Sequence, residues 1–194
     1  MFFKGLILAS TSPYRRALLE RLRLPFECIA PDTIESPVAE ESPAQMALRL
    51  ARLKAEAVAT QFPEAVIIGS DQVAVRGSDR LGKPGAVEIC RQQLQESSGQ
   101  EVQFLTAVHI IDGPHGRTES HVDRTTVRFR ELTHGEIERY VAADNPLDCA
   151  GGFKAESLGI ALFERIESED PTGLTGLPLI WVCGALRRAG ISAP

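Results

Sequence analysis

Two short apolar runs constrain this chain most, because neither alternates and each is tied to a capped helix. Leu6-Ile7-Leu8-Ala9 and Ala65-Val66-Ile67-Ile68 are apolar at every position, the pattern of a strand buried on both faces. The first leads into Ser12-Pro13, an N-cap followed by a first-turn proline. Leu18, Leu19 and Leu22 give the helix that follows its apolar stripe. The second run comes after Ser42-Pro43, which predicts a helix to about Thr60 with Met46, Leu50, Leu53 and Ala57 on one face. Phe26 to Ala30 reads as a further strand. Val73, Val75 and Leu81 flank Arg76-Gly77-Ser78-Asp79-Arg80, a hairpin signal.

The second half reads differently. A helix over 86–97 stops at Gly99, and two long strands over 101–112 and 117–130 are joined through Gly113-Pro114-His115-Gly116. Thr133 and Glu136 form a capping box for a helix ending near Ala143. A glycine-containing loop, Ala150 to Lys154, precedes one or two short strands within Leu158 to Ile166. A last helix carries Leu179, Val182 and Leu186 and stops at Gly190. Alternating elements first and long hairpins later predict an α/β fold with a long mixed sheet. At 194 residues the chain fits one domain or two tightly joined lobes.

Charge and cysteine usage narrow the function. A net charge of −5 argues against a protein that coats nucleic acid, whose phosphates need a basic surface. A local cluster of Lys and Arg still suffices for a small anion. Cys28, Cys90, Cys149 and Cys183 form no CxxC, so they are expected to be buried reduced thiols of a cytoplasmic protein. His109, His115, His121 and His134 lack metal-ligand spacing and read as surface or structural. The apolar opening is broken by Lys4 and followed by Arg15 and Arg16, so it reads as a first strand, not a signal peptide. No other apolar run approaches the roughly 18 residues of a membrane span.

Three places could carry chemistry. At Ala9-Ser10-Thr11-Ser12-Pro13-Tyr14-Arg15-Arg16, hydroxyls and guanidinium groups gather at a helix N-terminus, which suits phosphate and equally suits an ordinary cap with surface arginines. Gly69-Ser70-Asp71-Gln72 sits at the end of a buried strand, where Asp71 could hold a metal, take a proton from water, or simply form a turn. Glu35, Lys54, Lys83 and Lys154 are dispersed charges that could serve a triphosphate and its magnesium, or lie in solvent.

The ordered set of motifs resembles the Maf nucleotide pyrophosphatases along nearly the whole chain. It comprises Leu6 to Pro13 with Arg15-Arg16, the acidic loop ending Glu35-Ser36-Pro37, Ala51-Arg52-Leu53-Lys54-Ala55 and Ile68-Gly69-Ser70-Asp71-Gln72-Val73. Gly82-Lys83-Pro84, Cys149 to Glu156 and Gly176-Leu177-Pro178-Leu179 complete it. The resemblance implies a single Maf-like domain over 1–194, with a fold like that of inosine triphosphate pyrophosphatase, two lobes around a cleft. It also implies a homodimer and cleavage between the α- and β-phosphates with a divalent metal, Mg first and Mn or Co as alternates. By similarity Asp71 activates water, Glu35 and Asp71 hold the metal, and Ser10, Arg15, Lys54, Lys83 and Lys154 line the phosphate site. Tyr14, Gln72 and Glu156 resemble the subgroup acting on 7-methyl-GTP, where an aromatic face and a carboxylate suit a cationic base. Tyr14 stands where that pattern has Trp, and Gly152 and Ala155 stand where it has serines. Two alternatives remain: the same reaction on dTTP, UTP or other non-standard nucleotides, and a nucleotide-binding regulator of septum formation.

Overall fold

The computed structural model describes residues 5–36 and 38–193, so Lys4 and Pro37, named above, lie outside the described residues. Strand β1 (Leu6–Ala9) is buried at all four positions, as its lack of alternation requires. Helix α1 (Pro13–Glu20) starts at Ser12, whose Oγ accepts from the Arg15 amide. The helix ends at Glu20, so Leu22 falls just past it, packed against the same core. The strand expected over 26–30 shrinks to two paired residues, β2 (Glu27–Cys28), both exposed.

Helix α2 (Pro43–Ala59) has a full capping box: Ser42 Oγ accepts from the Gln45 amide, and the Gln45 side chain accepts from the Ser42 amide. Its buried stripe is Ala47, Leu50, Ala51, Lys54, Ala55 and Val58. Leu53 and Ala57 are only half-buried, so the helix is rotated from the face its largest apolar residues suggest. Small residues dominate the stripe because the helix lies tightly on the sheet there.

Strand β3 (Val66–Arg76) runs straight through Gly69-Ser70-Asp71-Gln72 and turns at Gly77 into β4 (Asp79–Leu81). The expectation that Asp71 ends a strand is therefore corrected: it lies in the middle of one. Helix α3 (Val87–Ser97), strands β5 (Glu101–Asp112) and β6 (Arg117–Phe129), helix α4 (His134–Asp144), strand β7 (Phe163–Ser168) and helix α5 (Leu179–Arg188) complete the chain. The sheet order is β2-β1-β3-β5-β6-β7 with β4 on β3. Strand β1 pairs in parallel with β2 and β3, while β3–β4 and β6–β7 are antiparallel. This is the mixed α/β sheet expected.

The chain divides into two compact units, and β3, β5 and β6 supply residues to both. The first holds residues up to Gln72, Thr106–Asp123 and everything from Asp170. Its core is built on two sides of the strands. Leu8 and Ile68 pack with Leu18, Leu19, Val182 and Leu186 of α1 and α5. Ile7 and Ile67 pack with Ala55 and Val58 of α2. The second unit holds Val73–Leu105 and Arg124–Glu169. At its centre Phe153 meets Phe104, Phe129 and Phe163 edge to face, with ring centroids 4.8–5.6 Å apart.

All four cysteines are free thiols, but only Cys90 is buried; Cys28 is exposed, and Cys149 and Cys183 are half-buried. Burial pushes the Cys90 thiol up to about 11, which keeps it protonated and unreactive. Among the described residues no helix is long and apolar enough to cross a membrane.

The capping box of α4 yields a pH-dependent prediction. The Thr133 amide and then its hydroxyl donate to Glu136, and Arg130 adds to them, holding its carboxyl at about 2 instead of 4.5. A depressed folded-state value means that this stabilisation is fully present above 4.5 and disappears as pH falls through about 2. Glu136→Gln should therefore flatten the acid limb of stability in that window, read as urea midpoints against pH for both proteins.

Candidate active site

Strand alternation sends successive residues of β3 to opposite faces, and here the two faces do different work. Ile67, Gly69 and Asp71 point to α2; Ile68, Ser70 and Gln72 point to the side of α1 and α5. Gly69 is what allows α2 to come close. A Cβ there would lie 2.1 Å from the Ala51 carbonyl oxygen and 2.8 Å from the Ala55 nitrogen. That approach brings Lys54 onto Asp71, with Nζ 2.6 Å from Oδ1.

Both residues are only 8% exposed. A buried ammonium and carboxylate survive only when each is paired, and Lys54 has a second partner in Glu35, whose Oε1 lies 2.8 Å away. The Glu35 side chain is 53% exposed, so one ammonium joins a buried carboxylate to a solvent-facing one. The loop carrying Glu35 is itself held down. Arg49 Nε and Nη2 donate to the two oxygens of Glu41, each at 2.7 Å, and Nη2 also donates to the Ser36 carbonyl at 3.2 Å. This bidentate fork is strong and directional.

Arg15 reaches the same region from the first turn of α1. Its Nε donates to the Gly176 carbonyl at 3.0 Å. Burial lowers its pKa, while the charges of Asp71 and Glu35 raise it. The half-buried guanidinium stays charged. Ser10, 4% exposed, spends its Oγ on the Ser12 amide at 3.1 Å and shapes the loop entering the helix. Tyr14 is half-buried in the first turn. Gln72 Nε2 faces Thr106 Oγ1 and the carbonyls of Gly173 and Leu174, at 2.8, 3.1 and 3.0 Å. Carbonyls only accept, so the amide nitrogen must face this loop and Oε1 point away from it.

The first unit thus gathers Ser10, Tyr14, Arg15, Glu35, Lys54, Asp71 and Gln72, and puts Lys54, Asp71 and Glu35 in direct contact. Lys83, Lys154 and Glu156 belong to the second unit. Lys83 and Glu156 are exposed. Lys154 Nζ donates to the carbonyls of Asp144 and Asn145 at 2.9 and 3.3 Å, where it offsets the negative end of α4. That leaves one of its three N–H donors uncommitted in this geometry.

Two of the three departures from the subgroup pattern lie near this loop, and one has a local cause. Gly152 sits at φ +73°, and a Cβ there would lie 3.0 Å from Cys90 Sγ. A serine would therefore need both a strained backbone and a displaced sulfur. Nothing in the structure explains Ala155.

Ser70, Thr106, Arg49 and Glu41 were not singled out by sequence. The alternation rule applied to the Gly-Ser-Asp-Gln run would have separated Ser70 and Gln72 from Asp71. Nothing in the spacing of Arg49 and Glu41 marks them as a clamp.

Among the described residues no group of three or more His, Cys, Asp or Glu could hold a metal ion. Two carboxylates, Glu35 and Asp71, share a single cation, the Lys54 ammonium. A magnesium ion, which usually takes one or two carboxylates and completes its shell with water and phosphate, would draw on these same two side chains.

The mixed α/β fold thus carries a buried Lys–Asp pair, a solvent-facing carboxylate and an arginine whose charge interacts with both carboxylates. Residues 5–189 match the Maf-like protein family, and the chain belongs to it. A similar protein from Polaromonas sp. (strain JS666 / ATCC BAA-500) is described as 7-methyl-GTP pyrophosphatase. It is 52% identical over 189 residues, covering 97% of this chain and 86% of that one.

Gly69→Ala tests the close approach of α2. The added methyl meets backbone, not a flexible side chain, so the variant should lose about 1–3 kcal/mol in urea unfolding. Activity should fall with it as Lys54 is pushed from Asp71.

Proposed function

We propose that this protein hydrolyses 7-methyl-GTP to 7-methyl-GMP and pyrophosphate, removing a modified nucleotide from the cytoplasmic pool. The observation that carries the reading is the Lys54 ammonium held between Asp71 and Glu35, with Arg15 among the charges around it. Membership of the Maf family and 52% identity to a protein described as 7-methyl-GTP pyrophosphatase support the same reaction.

In the proposed mechanism Asp71 accepts a proton from a water that attacks the α-phosphorus. A new P–O bond forms as the bond to the α–β bridging oxygen breaks. The electron pair leaves with pyrophosphate. Lys54, bonded to Oδ1, orients Asp71 for that transfer. Arg15, with a fork of N–H donors remaining, binds phosphate oxygens as their charge grows. By the family resemblance alone, Ser10, Lys83 and Lys154 are also assigned to phosphate binding. A divalent metal, Mg first with Mn or Co as alternates, would be held by Glu35 and Asp71 and would supply charge neutralisation for the triphosphate.

Base choice rests on Tyr14, Gln72 and Glu156. N7-methylation makes guanine cationic, and an aromatic ring or a carboxylate, the residue types that the family resemblance assigns to the base at Tyr14 and Glu156, favours a cationic base over a neutral one. With its nitrogen turned to the loop, Gln72 presents an acceptor, which suits the N–H edge of guanine. The family resemblance further supports a homodimer, which sedimentation at assay concentration checks. The net charge of −5 supports a protein with no stable nucleic-acid partner.

Pyrophosphate release with magnesium from 7-methyl-GTP, GTP, dTTP, UTP, CTP and ITP tests the proposal. Preference for 7-methyl-GTP is expected, and Asp71→Asn should lower kcat by about 10²–10⁴-fold. Preference for dTTP or UTP would keep the chemistry and overturn the base reading. No release from any nucleotide would leave a nucleotide-binding regulator.

A further inference from the structure

The Gly176 carbonyl oxygen accepts two hydrogen bonds from distant parts of the chain, Arg15 Nε at 3.0 Å and Ser70 Oγ at 2.9 Å. Ser70 is fully buried, so it has no route to a substrate, yet it shares an acceptor with the guanidinium assigned to the phosphates. The stretch Asp170–Gly176 that presents this carbonyl is fastened at two further points. At its start Asp170, 4% exposed, accepts from the Thr172 amide and hydroxyl through Oδ1, and from the Ile180 amide through Oδ2 at 2.6 Å. This ties the loop to the first turn of α5. In its middle the Gly173 and Leu174 carbonyls face Gln72, and Thr106 donates to Gly173 at 2.9 Å.

Gly176 is glycine for two reasons. Its φ of +112° strains any residue with a side chain, and a Cβ would lie 3.3 Å from Arg15 Nε. The arginine thus lies against the bare backbone of the loop. An arginine whose Nε is bonded to a fixed carbonyl loses torsional freedom, and its Nη1–Nη2 edge is aimed along one direction. That edge is the one able to take a phosphate through two parallel hydrogen bonds.

We propose that the Gly176 carbonyl is the fulcrum that aims Arg15 at the substrate phosphates, and that Ser70 and Gly176 are positioning residues for the reaction. Ser70 acts by holding the carbonyl in place, on the face of β3 opposite Asp71. One strand therefore carries the proton acceptor on one face and the support for the phosphate-binding arginine on the other. This rests on the pyrophosphatase reading above.

The test is a double-mutant cycle on the full chain with Ser70→Ala, Arg15→Ala and the pair. It is read as kcat/KM on 7-methyl-GTP and GTP, as affinity for inorganic pyrophosphate by calorimetry, and as unfolding temperature. Ser70→Ala should lose about tenfold in kcat/KM on both nucleotides and weaken pyrophosphate binding. Both effects should vanish once Arg15 is Ala, because coupled residues are not additive. A loss that persists undiminished in the Arg15→Ala background, or no loss at all, overturns the proposal. Should Ser70→Ala fail to fold, Ser70→Cys, which keeps the side chain's size and weakens its donor to the Gly176 carbonyl, takes its place in the same cycle with the same expectations. If the wild type releases no pyrophosphate from any nucleotide, the pyrophosphatase reading fails. The cycle in pyrophosphate affinity then still decides the role of Ser70 by itself.

Discussion

A charged lysine buried against a carboxylate is expensive unless both ends are satisfied, and the first unit is arranged around making that possible. Lys54 lies in the apolar stripe of α2 among alanines, with its ammonium on Asp71 and Glu35. The alanines and Gly69 let helix and strand come together far enough for the pair to form. A bulkier seam would leave an unpaired cation under the helix. The packing is thus set by the polar pair as much as by apolar burial. The exposed end of the arrangement, Glu35, depends in turn on a loop held by the fork of Arg49.

The same strand that receives Lys54 is fastened on its other face. Ser70 and Gln72 hold the Asp170–Gly176 loop, and Arg15 leans on that loop from α1. Elements far apart in sequence meet here around a few backbone carbonyls. This is a rigid way to hold ionic groups, because a carbonyl in a fastened loop cannot rotate away as a side chain can. It also concentrates the site's dependence on glycine, at Gly69 for close approach and at Gly176 for conformation.

Much of the architecture could be read from local chemistry. The strand Leu6–Ala9, the capped helices starting at Pro13, Pro43 and His134 and the paired long strands 101–112 and 117–129 all follow from nearby residues. Local chemistry says less where pairing, not propensity, decides. Residues 26–30 pair at only two positions, and β3 continues past Asp71 because β4 folds back on it. The buried face of α2 differs from the one its largest apolar residues suggest, because small residues, and not Leu53, fit a close seam.

Local sequence is enough for the fold class, the helix starts and, through ordered motifs, the family. These depend on short-range effects: caps, turn residues, and the period of burial. Which polar residues touch is a matter of how the elements pack in three dimensions. That packing joined Lys54 to Asp71 across 17 positions and Arg15 to Gly176 across 161. It also turned Gln72 toward a loop and placed Lys154 on the end of a helix. A contact between distant residues depends on how close two elements can pack and which way a side chain is turned. Neither is written in the neighbourhood of any one residue.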